Sequence, residues 1–303
     1  MNGVVRHVRV QTRAARRLVV LVATATLASA ALLATPAASV AEGAAEGAAE
    51  RQARAMSEPF RISTFNILGA SHTVRSKKFD TYKPRMRRTL RLIDQKGFSI
   101  VGLQEFQKVQ YDMFVRRTAG AWGVYPGLEE GVRPVQNSIV WRQDTWKRIE
   151  AHTYVIPYFH GNLVEQPYIR LRNRASGAEV WVINTHNPAS TKGDASGYRA
   201  TALANQAALV NDLKATGVPS VLLGDFNDRE KAFCYLTGRA PLKATNGGSW
   251  RDGTCVPPRP SIIDWIFISK SAQSTGYTAL DNAFVDSITD HRVIYADVSV
   301  PMS

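Results

Sequence analysis

The apolar run from Pro219 to Leu223 stops abruptly at Gly224-Asp225-Phe226-Asn227. Five residues without a charge are too few for a buried helix and fit a strand covered on both faces. A buried strand that ends in an acid and an amide delivers two short oxygen-bearing side chains to the rim of a sheet, where scaffolds carry their sites. Gly-Asp and Asn-Asp pairs are also ordinary turn material, so the tetrapeptide acquires meaning only from the rest of the chain.

Other strand ends supply it. Phe60–Phe65 alternates as a half-buried strand and runs into Asn66. Ser99–Leu103 ends in Gln104-Glu105, and a carboxylate there is costly to bury unless it is paired or holds a cation. Ser138–Trp141 has Asn137 at its mouth, Tyr168–Arg172 carries Arg170, and Val180–Asn184 delivers Thr185-His186-Asn187. Ile262–Ile268 has one embedded acid, Asp264, while Thr289-Asp290-His291-Arg292 precedes a last strand, Val293–Val300. Between these, Pro84 opens a helical pattern through Met86, Leu90 and Ile93 that Gly97 stops, with Arg85, Arg87, Arg88 and Arg91 as its solvated face. Two more helices are predicted over Gln107–Arg117 and Arg199–Ala215. The alternation is not a strict βαβ repeat and no linker interrupts residues 59–301, so an antiparallel or mixed α+β sandwich in one domain, 59–303, is expected. There is no Gly-x-Gly-x-x-Gly, Walker loop, His-Glu-x-x-His or Gly-x-Ser-x-Gly, which removes nucleotide-fold, zincin and serine-hydrolase chemistry.

The first 41 residues read differently. Five arginines between Arg6 and Arg17 precede an acid-free apolar run, Leu18 to about Ala34, and small residues follow to Ala41. That is the layout of a cleaved secretory signal peptide, and it predicts an extracellular protein. Residues 42–58, including GAAEGAAE, lack the apolar side chains to offset ordering and are expected to be a disordered leader. Cys234 and Cys255, the only cysteines, are expected to form a disulfide in that oxidising setting. Without the first 41 residues, 33 basic side chains face 25 acidic ones, a net +8 that favours polyanions and also serves solubility.

The pieces FNIL with Asn66, GLQEF with Glu105, NTH with His186, GDFN with Asp225 and Asn227, IDWIF with Asp264, and TDH with Asp290 and His291 resemble, in chain order, the endonuclease/exonuclease/phosphatase superfamily. The resemblance implies a four-layered α/β/β/α sandwich with the site along one edge of two packed sheets. It implies a divalent cation, Mg²⁺ first and Mn²⁺ or Ca²⁺ as alternatives, on Glu105 with Asn66 and Asp290 completing the shell directly or through water. His291 oriented by Asp264, Asp225 as the base for water, Asn227 as a donor to the phosphoryl group and His186 at the transition state or leaving oxygen are the implied catalytic set. Asn137 and Arg170 are read as phosphate contacts, and His72, His152 and His160 as surface residues. After the NTH motif the chain departs from the family with Asn187-Pro188-Ala189, and the Tyr or Glu that some members hold near the leaving group has no evident counterpart.

The expectation is a secreted, metal-dependent nuclease of low sequence specificity on DNA or RNA, monomeric and with no protein partner. Two alternatives stand beside it: a sphingomyelinase-like or small-molecule phosphoesterase, for which Tyr154–Phe159, more simply read as a buried strand, could touch membrane lipid, and a non-catalytic nucleic-acid-binding protein.

Overall fold

Phe60 and Ile62 join an apolar core shared by both sheets, whereas Phe65, on the opposite face of the same strand, joins a second core beneath helices. That alternation sets up the layers of the structure, a computed structural model that describes residues 55–302. Strands β1 (Phe60–Asn66), β2 (Ile100–Gln104), β3 (Trp122–Tyr125) and β4 (Ile139–Arg142) come first in the chain. They are followed by β5 (Trp146–Pro157), β6 (Leu163–Asn173), β7 (Glu179–His186), β8 (Ser220–Asp225) and β9 (Leu242–Ala244). A small hairpin, β10 (Ser249–Arg251) and β11 (Thr254–Val256), precedes β12 (Asp264–Ser269), β13 (Gln273–Leu280) and β14 (Val293–Ser299). One six-stranded sheet has the order β13-β14-β1-β2-β4-β3 and the other β5-β6-β7-β8-β12-β9.

Each sheet contains one parallel pair, β1 with β2 and β7 with β8, and every other pairing in the two sheets is antiparallel. A parallel pair needs a crossover, and a helix supplies it in both cases. Helix α1 (Tyr82–Gln95) links β1 to β2 and buries Met86, Leu92 and Ile93; α2 (Lys108–Thr118) lies beside it. Helix α3 (Ser196–Lys214) links β7 to β8, burying Leu203, Gln206, Ala207, Val210 and Leu213 at helical spacing, and α4 (Glu230–Arg239) follows. A single turn, α5 (Ala283–Asp286), leads to β14. The result is the mixed-sheet α+β sandwich that the sequence predicts.

The sheets approach closely under the site. A Cβ on Gly102 of β2 would fall 2.0 Å from Leu223 Cδ1 and 2.7 Å from Asn184 Oδ1, so glycine is needed for the approach. A buried amide belt joins the sheets at that level: Gln104 Nε2 donates to Asn184 Oδ1 at 2.7 Å, and Asn184 Nδ2 to the Leu103 carbonyl at 2.9 Å. Every buried amide so satisfied fixes the sheets in one relative position.

Two expectations about the ends need comment. Residues 1–54, with the signal peptide and most of the leader, lie outside the described residues. The leader's last four residues, however, belong to the fold: Ser57 N–H donates to the Val300 carbonyl at 2.8 Å, and Met302 N–H to that of Ala55 at 2.9 Å. Backbone pairing along an open strand needs no apolar side chain, so composition did not reveal it. Cys234 on α4 and Cys255 on β11 are joined in a disulfide 21 residues apart, worth about 3 kcal/mol in the loop-entropy account. Among the described residues no helix is long and apolar enough to cross a membrane.

Candidate active site

Parallel strands end at the same rim. In the first sheet Asn66 lies opposite Gln104, with Glu105 next; in the second His186 lies opposite Asp225. The antiparallel strands begin where these end, so β12 enters at Asp264, opposite Asp225, and β14 starts just after His291. Both acid-bearing strands leave their sheets through a left-handed residue, Glu105 at φ 57° and Asn227 at φ 48°. Asn tolerates that conformation; a glutamate there is strained, and such strain concentrates at functional positions. Within the tetrapeptide Gly224 has φ 147°, and a Cβ there would sit 2.0 Å from the Thr185 carbonyl oxygen.

Asp225 is the hub. Its Oδ2 accepts from Asn66 Nδ2 at 3.2 Å and lies 3.4 Å from His186 Nε2 and 3.7 Å from His291 Nε2, while its Oδ1 accepts the Asn227 N–H at 2.9 Å. Asp264 grips His291 Nδ1 at 3.0 Å, which leaves Nε2 facing the hub. Asn227 Nδ2 donates to the Asn187 carbonyl at 2.9 Å, keeping its second amide hydrogen for another acceptor. On the other side, Glu105 accepts from Gly69 N–H at 2.7 Å and from Asn66 Nδ2 at 3.1 Å, and His72 Nε2 is 3.5 Å away.

The two sides are electrostatically distinct. Burial would raise the Glu105 carboxyl, but His186, the Gly69 N–H, the Asn66 amide and His72 together hold it below its ordinary value. Burial pushes Asp264 up to about 6, against the pull of His291. For His291 burial works against the charged form, and the carboxylates of Asp264, Asp225 and Asp290 override it, raising the imidazole to about 10. The buried carboxylate of Asp264 thus favours the imidazolium form of His291 at the hub.

Seven of the residues singled out in the sequence are thus in contact: Asn66, Glu105, His186, Asp225, Asn227, Asp264 and His291. Asp290, exposed, lines the same cavity as Glu105, and buried Asn137 lines another with His186, its Oδ1 without a partner. Arg170 is corrected. It sits on β6 opposite Trp181, between Glu150 and Glu179, with its guanidinium 5.6 Å from the indole centre, and does not reach the cluster. Arg85 also departs from expectation. Instead of facing solvent it is 1% exposed and donates to the carbonyls of Ile67, Leu68 and Ile288 at 2.7, 2.8 and 3.0 Å. One side chain thereby ties the segment after Asn66 to the segment before Asp290. Buried Gln166, whose Oε1 accepts the His186 N–H at 2.9 Å, was equally hidden in the sequence, because each depends on backbone groups that only the fold assembles.

The donor set fits a hard divalent cation. Glu105, Asp290 and Asp225 offer carboxylate oxygens, and Asp225, Asp264 and His291 place one ligand atom each within 4.8 Å of one another. Since Asp264 and His291 occupy each other through Nδ1, the oxygens of Glu105 and Asp290 are the freer ligands. Asn66 holds the Glu105 carboxylate in place: its oxygen accepts the Leu68 N–H at 3.1 Å and its nitrogen donates to Glu105 at 3.1 Å.

Similarity to known proteins follows this geometry. An endonuclease/exonuclease/phosphatase family protein from Bacteroides thetaiotaomicron superposes with a TM-score of 0.64 at 15% identity, covering 81% of this chain and 99% of its own. The human nocturnin catalytic domain, solved with a bound sulfate, gives 0.61 at 18% identity, with 81% and 97% covered. A mannosyl-6-phosphatase of Bacteroides thetaiotaomicron gives 0.63 at 15%, with 79% and 99% covered. No curated protein sequence matches the chain. The sequence does match the Endonuclease/Exonuclease/phosphatase family over residues 63–291, a span that holds every rim residue from Asn66 to His291, and the chain belongs to that family of divalent-metal-dependent phosphoesterases.

Proposed function

We propose that the protein is a secreted, metal-dependent phosphodiesterase, a nuclease of low sequence specificity acting on DNA, with RNA as the second substrate, and working as a monomer. The observation that carries this is the hub: one buried carboxylate, Asp225, within 3.7 Å of the ring nitrogens of both His186 and His291 and hydrogen-bonded to Asn66. Asp225 is an acceptor placed to orient water and take its proton. The His291 imidazolium, held by Asp264, donates from Nε2 to a phosphoryl oxygen as negative charge grows, and the free Asn227 hydrogen does the same. His186, its backbone fixed by Gln166, is placed to protonate the departing oxygen. Glu105 and Asp290 would hold a divalent cation, which would supply polarisation of the phosphate. The net charge of +8 without the first 41 residues supports a polyanionic substrate, and the disulfide suits an oxidising compartment.

The test is plasmid nicking by the purified protein with Mg²⁺, run beside EDTA and an Asp225→Asn variant. Nicking lost in both controls is expected, falling steeply with added salt. An intact plasmid, with single-stranded DNA and RNA also left intact, would overturn the nuclease assignment and move the search to small phosphoesters.

A further inference from the structure

Glu105 borders two cavities. One, of about 450 Å³, is walled by Leu68, Ser76, Lys78 and Phe79 and includes Asp290. The other, of about 590 Å³, runs from Asn137 and His186 out to Tyr158, Phe159, Arg133 and Lys192. His72 lies on the border of both, 3.5 Å from the Glu105 carboxylate and more than half exposed. The place where a phosphate would be hydrolysed therefore has room on either side, each side within the roughly 300–1,000 Å³ of small-ligand sites.

The two arms repeat one chemistry. In the first, Lys78 Nζ is 4.8 Å from the centre of the Phe79 ring. In the second, the Phe159 and Tyr158 rings are 4.5 Å apart, and Tyr158 stands edge-on to His186 at 6.0 Å, with Arg133 and Lys192 exposed nearby. A ring for a base and a cation for the backbone are the parts of a single-strand binding groove. A phosphomonoester would fill one arm only. A duplex keeps its base faces against each other and cannot offer them to Phe79 or Phe159. Lipid is a poorer match: Ser76, Gln136, Asn162 and Thr191 put polar groups into the walls of both arms, and Lys78, Arg133 and Lys192 add charge.

We propose that this cleft binds a single-stranded polynucleotide across Glu105, one base stacked on Phe79 and the other on Phe159, so that the strand is cut internally. The inference rests on the nuclease assignment above and adds strandedness and internal attack to it. Stacking on a partly buried ring also explains how the site can be indifferent to sequence, since every base has a π-face.

The test uses closed circular single-stranded DNA, a linear strand and a duplex of the same sequence, and RNA of that sequence, all with Mg²⁺. The circle is expected to be cut, and the linear single strand preferred over the duplex. Phe79→Ala and Phe159→Ala are each expected to lower kcat/KM on the single strand roughly 5- to 100-fold, the range of one lost base stack. Phe79→Trp and Phe159→Trp should restore it, with thermal melting checked for every variant. An abasic nucleotide on one side of the cut should abolish the Phe79→Ala penalty alone, and one on the other side the Phe159→Ala penalty alone. A strand trimmed only from its end, or Ala variants within about 2-fold of the parent on a strand that is cut, would overturn the two-armed site and leave the nuclease standing. No cleavage of any polynucleotide would overturn both, and hydrolysis of choline-phospholipid vesicles in its place would assign the cleft to lipid. DNA and RNA share the chemistry proposed, and the paired strands show which source the site accepts.

Discussion

In the first sheet the parallel pair β1–β2 ends in an amide and a carboxylate, Asn66 and Glu105; in the second, β7–β8 ends in an imidazole and a carboxylate, His186 and Asp225. The two halves share a plan: strand, crossover helix, parallel strand, and an exit through a left-handed residue. They differ in what surrounds the acid. Glu105 receives N–H donors and stays low, ready to face a cation, with buried Arg85 bracing the loop that presents Gly69. Asp264 on the other side is buried, rises to about 6, and gains its value as the partner of an imidazolium. One architecture thus yields a cation-holding half and a proton-handling half, because environment and not residue type sets the role of a carboxylate.

Substitutions at the hub test that division most severely. Asp225→Asn keeps the shape and removes the base, and a fall in kcat of roughly 10³-fold is expected, with melting temperature and metal affinity little changed. A smaller loss accompanied by a large shift in the Mg²⁺ requirement would place Asp225 in the cation-holding half.

Asp264→Asn is next, with roughly 10²-fold lost from kcat. Here pH is the sharper reading. In the parent, His291 is raised from its ordinary value of 6.5 to about 10, so its stabilising charge is fully present below about pH 6.5 and is lost as pH rises through 10. Without Asp264, burial pulls the imidazole down unopposed by its main partner, so the variant should lose activity at a lower pH than the parent and lack the stability that the charge gives the parent below about pH 10. An imidazole NMR titration of His291 checks this directly. A resonance that moves near pH 6.5 in the parent would dissolve the ion pair on which the proton-handling half rests.

In the cation-holding half, Glu105→Gln should raise the Mg²⁺ needed for half-maximal activity by at least roughly 10- to 100-fold. The stabilisation of the fold by Mg²⁺, read as a melting shift, should shrink in parallel. An unchanged Mg²⁺ response would transfer the cation to the cluster of Asp225, Asp264 and His291.

The division was partly legible in the chain. Six short motifs at strand ends carry the rim residues, and the register that brings them together follows from strands that stop where apolar residues stop. Arg85 was not legible, because a buried arginine on α1 is tolerable only inside a cage of carbonyls from two distant loops. Strand β13 (Gln273–Leu280) was missed because an edge strand with little burial shows no apolar alternation. Of the segment Tyr154–Phe159, which reads as a strand or as a loop touching lipid, the residues up to Pro157 belong to β5; the Tyr158 ring stands against His186 with Phe159 beside it, while Val155 and Leu163 are the exposed apolar residues of that hairpin.

Arg170 marks the outer limit of the second half and carries the smallest expected effect. It lies opposite Trp181, five positions before His186 on β7, which at ~3.3 Å per residue is about 16 Å along the strand. Its charge is already matched by Glu150 and Glu179. Arg170→Ala should therefore leave kcat/KM within about 2-fold and cost about 1 kcal/mol of stability or less, as partly exposed ion pairs do. Asn137→Ala, by contrast, empties a buried amide from the wall shared with His186 and should raise KM several-fold. Equal losses from the two variants would mean that substrate reaches far out over β6, and the proton-handling half would have to be redrawn to include it.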